Sequence, residues 1–421
     1  MEPATASPLS QTRIGVYLGF LQLFFALTWT VYVIFLPQLA AQVGIRPQAV
    51  IVILMLDQVI FAFMDWLMGR MADRWAQVIG RLSRIVVVTT TVSCLAFLLL
   101  PWVAPTGSEA LFLALTVLWS ASASALRAPP LALLGKYASR AAVPRLAALT
   151  MVGIGIAGAL APYLTVTLRG TDPRLPFALA SIALLVVTLG LGWAERHLAA
   201  APPPTESEQP TSTMSHTTAR SPVALFLMTI ALLALGFQVH SSLNTSPMFL
   251  KFATPPELEQ LMPIFWIGFS VLMLPGTLLT QRYGGLCVMA ASGVVGAQAA
   301  FVALHAGNLT VLSAAQFIAG GAWGCVMMSA VSAALALGSI GNAASSGSSD
   351  SKVGNQGSIT GALFSLLAIA TFARMMIVWT EVNKDAVFAT LQPWLPIAAW
   401  MLAAGLLLTI ALRWRGDGRA V

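Results

Sequence analysis

One carboxylate, Asp57, lies well inside an apolar stretch of this chain, about eight residues or ~12 Å from its start. A charged side chain near a bilayer centre costs roughly 2.5–3.5 kcal/mol on insertion scales, so it persists by default because it acts. A carboxyl at that depth can take up and release a proton. Two bases share the setting. Arg374 lies six residues, ~9 Å, from the end of its own stretch, and Arg127 stands in Ser-Ala-Ser-Ala-Leu-Arg127-Ala-Pro-Pro. Arg127 either holds an anionic substrate or snorkels to the headgroups. A polar group of Gln238, His240, Ser241, Ser242 and Asn244 interrupts another apolar stretch.

The second chemical signal is a run at a helix end, Asp65-Trp66-Leu67-Met68-Gly69-Arg70-Met71-Ala72-Asp73-Arg74, closed by Gly80-Arg81. Gly69 lets two helices approach closely. Asp73, one turn further, can accept hydrogen bonds from a neighbouring helix N-terminus. Arg74 and Arg81 can pair with it or with lipid phosphates.

Other chemistries find no residues. An intramembrane enzyme needs paired acids, His-x-x-x-Asp or Ser with His, and none is present, so no enzyme activity and no cofactor are expected. Cys94, Cys287 and Cys325 form no Cys-x-x-Cys or Cys/His spacing, which excludes a disulfide framework or a structural zinc. Seventeen methionines are ordinary packing in apolar spans, not a metal site. No Gly-x-x-x-x-Gly-Lys-Ser/Thr run supports direct use of ATP.

The elements that must position these residues follow from composition. Apolar residues make up 58% of the chain and charged ones 9%, with mean hydropathy +0.83. Soluble domains carry about 25% charged residues. A spanning helix needs ~20 apolar residues. Spans are predicted near 14–36, 49–68, 84–103, 110–134, 147–168 and 176–195, then near 222–249, 260–280, 286–304, 311–338, 358–380 and 389–413. An even number puts both termini on one side. With the termini inside, fifteen Lys/Arg fall in cytoplasmic segments and five outside. That excess obeys the positive-inside rule and predicts a multi-pass protein of the cytoplasmic (inner) membrane with both termini cytoplasmic. The net charge of +7 therefore serves topology, not nucleic acid.

Between spans six and seven, Ala199 to Ser221 holds Pro202-Pro203-Pro204 and then Thr, Ser, Glu and Gln. That composition reads as a flexible cytoplasmic linker. It divides the chain into residues 1–198, the linker 199–221 and residues 222–421. The Ser/Gly/Asn-rich stretch from Gly338 to Gly357 is a second flexible loop. The two halves resemble each other. A shift of 210 residues brings Thr28 onto Gln238, Thr30 onto His240, Ile34 onto Asn244 and Pro37 onto Pro247. A shift of 204 brings Trp119 onto Trp323, and one of 207 brings Gly69 onto Gly276. Their order along the chain indicates a duplicated six-helix unit.

On these residues the chain resembles the major facilitator superfamily, whose loop between spans two and three carries Gly-x-x-x-Asp-Arg and then Gly-Arg. Gly69, Asp73, Arg74, Gly80 and Arg81 match. Asp65 ahead of Gly69 and the wider gap to Gly80 look more like the glycoside–pentoside–hexuronide cation symporter branch. That branch has Asp-Pro where this chain has Asp65-Trp66. The resemblance implies an all-α membrane protein with twelve transmembrane helices in two six-helix bundles. It implies a secondary active transporter, proton-coupled, that moves a small-molecule substrate through the lipid bilayer as a monomer. Proton-coupled export of amphiphilic compounds, or a non-transporting membrane receptor or assembly factor of the same fold, is the alternative. Further, it implies that Asp65, Gly69, Asp73, Arg74, Gly80 and Arg81 form a cytoplasmic latch between the halves. The second-half counterpart, Gly276 to Gly284, has lost the acid, so the latch is expected to be one-sided. Spans one, four, seven and ten of the family line the pathway, which selects Thr28, Thr30, Tyr32, Arg127, Gln238, His240, Asn244, Gln316 and Trp323. Spans two and eleven face each other, so Asp57 and Arg374 are expected to pair as a proton-controlled gate.

Overall fold

A computed structural model describes residues 8–75, 78, 80–139, 141–199, 220–343 and 355–416. Twelve helices long and apolar enough to cross a membrane account for nearly all of them, and no strand occurs among the described residues. The first six spans are α1 (Gln11–Gln42), α2 (Pro47–Trp75), α3 (Arg81–Thr106), α4 (Glu109–Tyr137), α5 (Val143–Thr167) and α6 (Arg174–Ala199). The second six are α7 (Val223–Phe249), α8 (Pro255–Tyr283), α9 (Gly285–Leu304), α10 (Leu309–Ser339), α11 (Gln356–Trp379) and α12 (Ala386–Leu412). They form two six-helix bundles. Most of the predicted linker, and much of the second Ser/Gly/Asn loop, lie outside the described residues.

Small residues set the packing. Without a hydrophobic drive between helices in lipid, association depends on close fit. In the second bundle Trp400 of α12 is buried and donates its indole N–H to the Leu233 carbonyl at 2.9 Å. Its ring fills space left by two glycines: a Cβ on Gly236 or Gly296 would come within 2.6 Å of it. Between the bundles, α2 packs along α11 and α5 along α8. A Cβ on Gly69 would lie 2.7 Å from the Gly361 Cα, so the α2–α11 crossing requires glycine on both sides.

Two spans are broken where the chemistry lies. The helical part of α4 ends at Ala123, passes through a 3₁₀ turn over Ser124–Leu126, and restarts at Ala128. Pro130 has no N–H to give the Leu126 carbonyl. Gln22 of α1 supplies the missing donor, its Nε2 lying 2.8 Å from that oxygen. Arg127 sits at this break. In α7 a π turn runs from His240 to Asn244, and the Thr245 hydroxyl donates to the His240 carbonyl at 2.8 Å.

Candidate functional site

Helix α2 carries Asp57, Phe61, Asp65, Gly69 and Asp73 at intervals of four residues. Four residues of α-helix turn through ~400°, so each step advances ~40° around the axis. The stripe therefore winds from the interior of the first bundle at Asp57 to the boundary between bundles at Gly69 and Asp73. Its three acids meet three different kinds of partner.

Asp57 is 1% exposed. Its Oδ2 accepts the Tyr32 hydroxyl of α1 at 2.8 Å, and its Oδ1 accepts the Ser120 hydroxyl of α4 at 2.5 Å. Tyr32 packs on Trp119 with ring centres 4.4 Å apart, and Trp119 stacks with Trp29 at 6.1 Å. Asp57 thus sits behind an aromatic wall. It does not pair with Arg374, as the sequence had led us to expect. The depths along the two helices agree, but the winding of the stripe turns Asp57 toward α1 and α4. No ion pair involves either residue among the described residues, and the Arg374 Nε is buried without a hydrogen-bond partner there.

Asp65 is fully buried and forms an ion pair with Arg127, Oδ2 to Nη1 at 2.9 Å. The sequence had placed Asp65 at a helix end. Because the helix runs on to Trp75, ten residues further, the carboxylate lies ~15 Å inside it, and the first bundle holds two deep acids rather than one. The Arg127 guanidinium lies over two rings, Phe61 at 5.3 Å and Phe364 of α11 at 5.4 Å. It touches the opposite bundle through an aromatic face, which suits its planar, weakly hydrated cation.

Asp73 binds the start of α11. One carboxylate oxygen accepts the Gly357 N–H at 2.6 Å, and the other accepts the Ser358 N–H at 2.8 Å and its hydroxyl at 2.6 Å. A carboxylate there satisfies orphan amides and meets the positive end of the helix dipole. Arg74 and Arg81 are exposed, and neither pairs with Asp73 among the described residues. Gly80 starts α3 with φ of 78°, a left-handed conformation that favours glycine.

The second bundle holds a counterpart. Gln281, at the end of α8, donates its Nε2 to the Ala141 carbonyl before α5 at 2.9 Å. The tie is therefore two-sided, against the expectation that loss of the acid would leave it one-sided. An amide replaces the acid and donates to a carbonyl instead of accepting from amides. Both ties lie on the side of the bundles where α1 begins and α12 ends.

The residues expected along a pathway divide by burial. Tyr32, His240 and Gln316 are fully buried, and Thr28 is nearly so, with its hydroxyl on the Phe25 carbonyl. Thr30 bonds its own helix at the Ala26 carbonyl. His240 Nε2 lies 3.1 Å from Gln316 Oε1, which joins α7 to α10. Asn244 Oδ1 accepts from Gln392 at 2.9 Å, and Gln238 donates to Thr371 of α11 at 2.8 Å. Trp323 stacks on Phe237 at 4.4 Å and 4°. That pair matches Trp29 on Trp119, stacked at 13° in the first bundle. The rings that keep partial exposure, Trp29 and Phe237, were not singled out by the sequence, and neither was Ser120, which is separated from Asp57 by 63 residues. Glu195 also escaped notice: fully buried in α6, it accepts the Ser83 N–H at the start of α3 at 3.1 Å.

Twelve membrane-length helices in two bundles, tied by an acid and an amide at one end, define a multi-pass membrane fold of the kind transporters use. The chain matches the Major Facilitator Superfamily over residues 18–373 and belongs to it. Similar solved structures include the human organic anion transporter MFSD10 (TETRAN), with TM-score 0.62 and 14% identity, covering 96% of this chain and 99% of that one. The E. coli fucose:proton symporter FucP gives TM-score 0.64 at 12% identity, covering 95% and 99%. A bacterial homologue of the iron transporter ferroportin in its outward-facing state gives 0.66 at 13%, covering 95% and 100%. At these identities the likeness is one of fold. No curated protein matches the chain.

Proposed function

We propose that this protein is a proton-coupled secondary active transporter of a small solute, working by alternating access in the cytoplasmic membrane with both termini inside. Asp57 is the proton carrier. The observation that supports it is the nature of its partners. Tyr32 and Ser120 are neutral hydroxyls that donate to a carboxylate and, after rotating, accept from a carboxylic acid. Both protonation states are satisfied in one site. Asp65, tied to a guanidinium, is suited to a permanent charge. The ties at Asp73 and Gln281 close the bundles on the terminal side, so solute enters from the opposite side in this state. The loop's likeness to glycoside–pentoside–hexuronide symporters extends to Asp65, which here serves the Arg127 pair.

One feature favours export of amphiphilic compounds as a second reading. An apolar groove opens sideways between α2 and α11, lined by Val59, Phe63, Trp66, Ile369 and Phe372 with Gln58 among them. The test is proton movement. Proteoliposomes containing a pH-sensitive dye are screened with sugars, carboxylates, amino-acid derivatives and drugs. A transported solute moves protons with the wild-type chain. Asp57→Asn abolishes accumulation driven by a pH gradient and keeps counterflow. If Asp57→Asn still accumulates solute against its gradient, Asp57 is a structural acid.

A further inference from the structure

Charge accounting among the described residues of the spans leaves one half-buried cation without a counterion. The buried acids of the spans are committed: Asp57 to two hydroxyls, Asp65 to Arg127, Glu195 to the Ser83 amide. Asp73 is committed to the start of α11. Beyond the end of α11, Glu381 is taken by Lys384 at 2.6 Å. Arg374 alone is left, partly buried in a span, in no ion pair among the described residues, with its Nε enclosed and unpartnered.

Its position is on the face of α11 that meets α7. Thr371, three residues earlier, takes the Gln238 amide, and residues three apart share a helix face. Arg374 stands one turn further from the terminal ties, toward the side where no side-chain hydrogen bond or ion pair joins the bundles among the described residues. The boundary between bundles is walled by rings. In the first bundle Trp29 and Phe61 pack with Ala368 of α11. In the second, Trp266 and Phe237 are in edge contact, and a Cβ on Gly158 of α5 would meet the Trp266 ring. A half-buried guanidinium with an unpartnered Nε suits a ligand carboxylate, and the rings along the boundary between the bundles suit a flat apolar body.

We infer that the transported solute is an aromatic or similarly apolar organic anion, and that Arg374 binds its carboxylate. This deepens the transporter reading and rests on it. The probe pair is 2-naphthoate and its neutral amide, 2-naphthamide, measured by equilibrium dialysis on the purified full chain in phosphatidylcholine nanodiscs. The acid is expected to bind about tenfold or more tightly than the amide. Arg374→Gln should remove that preference, and Arg374→Lys should keep part of it, with thermal melts reporting that each variant is folded. Equal binding of acid and amide by the wild type, or no binding of the acid, overturns the inference. So does an unchanged preference in Arg374→Gln. Repeating the measurement in phosphatidylglycerol nanodiscs separates a lipid phosphate from a solute: loss of naphthoate binding there assigns Arg374 to the headgroup and also overturns it. The dialysis reads binding without proton movement. A naphthoate preference with no effect of Asp57→Asn on accumulation removes the proton role alone. The reverse result removes the anion alone.

Discussion

Asp73 and Ser358 belong to different bundles and share two hydrogen bonds, the Ser358 N–H at 2.8 Å and its hydroxyl at 2.6 Å, both to one carboxylate oxygen. With Gly357 on the other oxygen, one acid satisfies three donors at the start of α11. Under the proposed alternating access the contact would be lost when the bundles part on that side, so it would bias the conformational equilibrium rather than the fold of either bundle.

Asp73→Asn keeps the shape and removes the charge. A cap or dipole interaction of this kind contributes about 0.5–2 kcal/mol. The expected outcome is normal abundance and melting temperature with transport slowed severalfold, read as initial counterflow rates in proteoliposomes. Full activity in a folded variant would make the contact incidental.

Asp65 and Arg127 are the pair whose halves cannot be removed singly. Leaving one buried charge unpaired costs ~3–5 kcal/mol. Asp65→Asn is expected to lower stability sharply, measured by unfolding in detergent. Asp65→Asn combined with Arg127→Gln should recover most of the loss, because no lone charge is left. A double variant as unstable as the single one would mean that the rings and the α4 break, not the charge, carry the site.

Gly361 faces Gly69 at the tightest part of the α2–α11 crossing. Gly361→Leu should push the helices apart and prevent closure on the terminal side. A cysteine pair at Ala72 and Ser358, expected to crosslink in the parent, should then crosslink poorly. Unchanged crosslinking would show that the crossing tolerates bulk.

Topology is checked by labelling. Single cysteines at Ser207 and Ser346, both outside the described residues, should react only with reagents that cross the membrane. Labelling of both on intact cells by an impermeant reagent would put the termini outside.

Which features were legible in the sequence follows from the range of the forces involved. Span length and hydropathy depend on neighbouring residues alone, so twelve spans and their order could be read directly, and the duplication survives as Trp119 with Trp323. The stripe Asp57, Phe61, Asp65, Gly69, Asp73 is also visible in the sequence, since four-residue spacing is local. Which face of α2 meets which neighbour is not local. Each step turns the stripe by ~40°, so the sequence placed Asp57 at the depth of Arg374 but could not show that it faces Tyr32 and Ser120. The apolar span was drawn only to residue 68 because hydropathy falls there, while the helix itself continues to Trp75 and leaves Asp65 well inside it. The Arg127 ion pair and the amide tie at Gln281 depend on partners 62 and 140 residues apart, and the lone Arg374 on the lack of one among the described residues. Hydropathy gives each residue's depth in the membrane; only the packing of the helices decides which charges at that depth can touch.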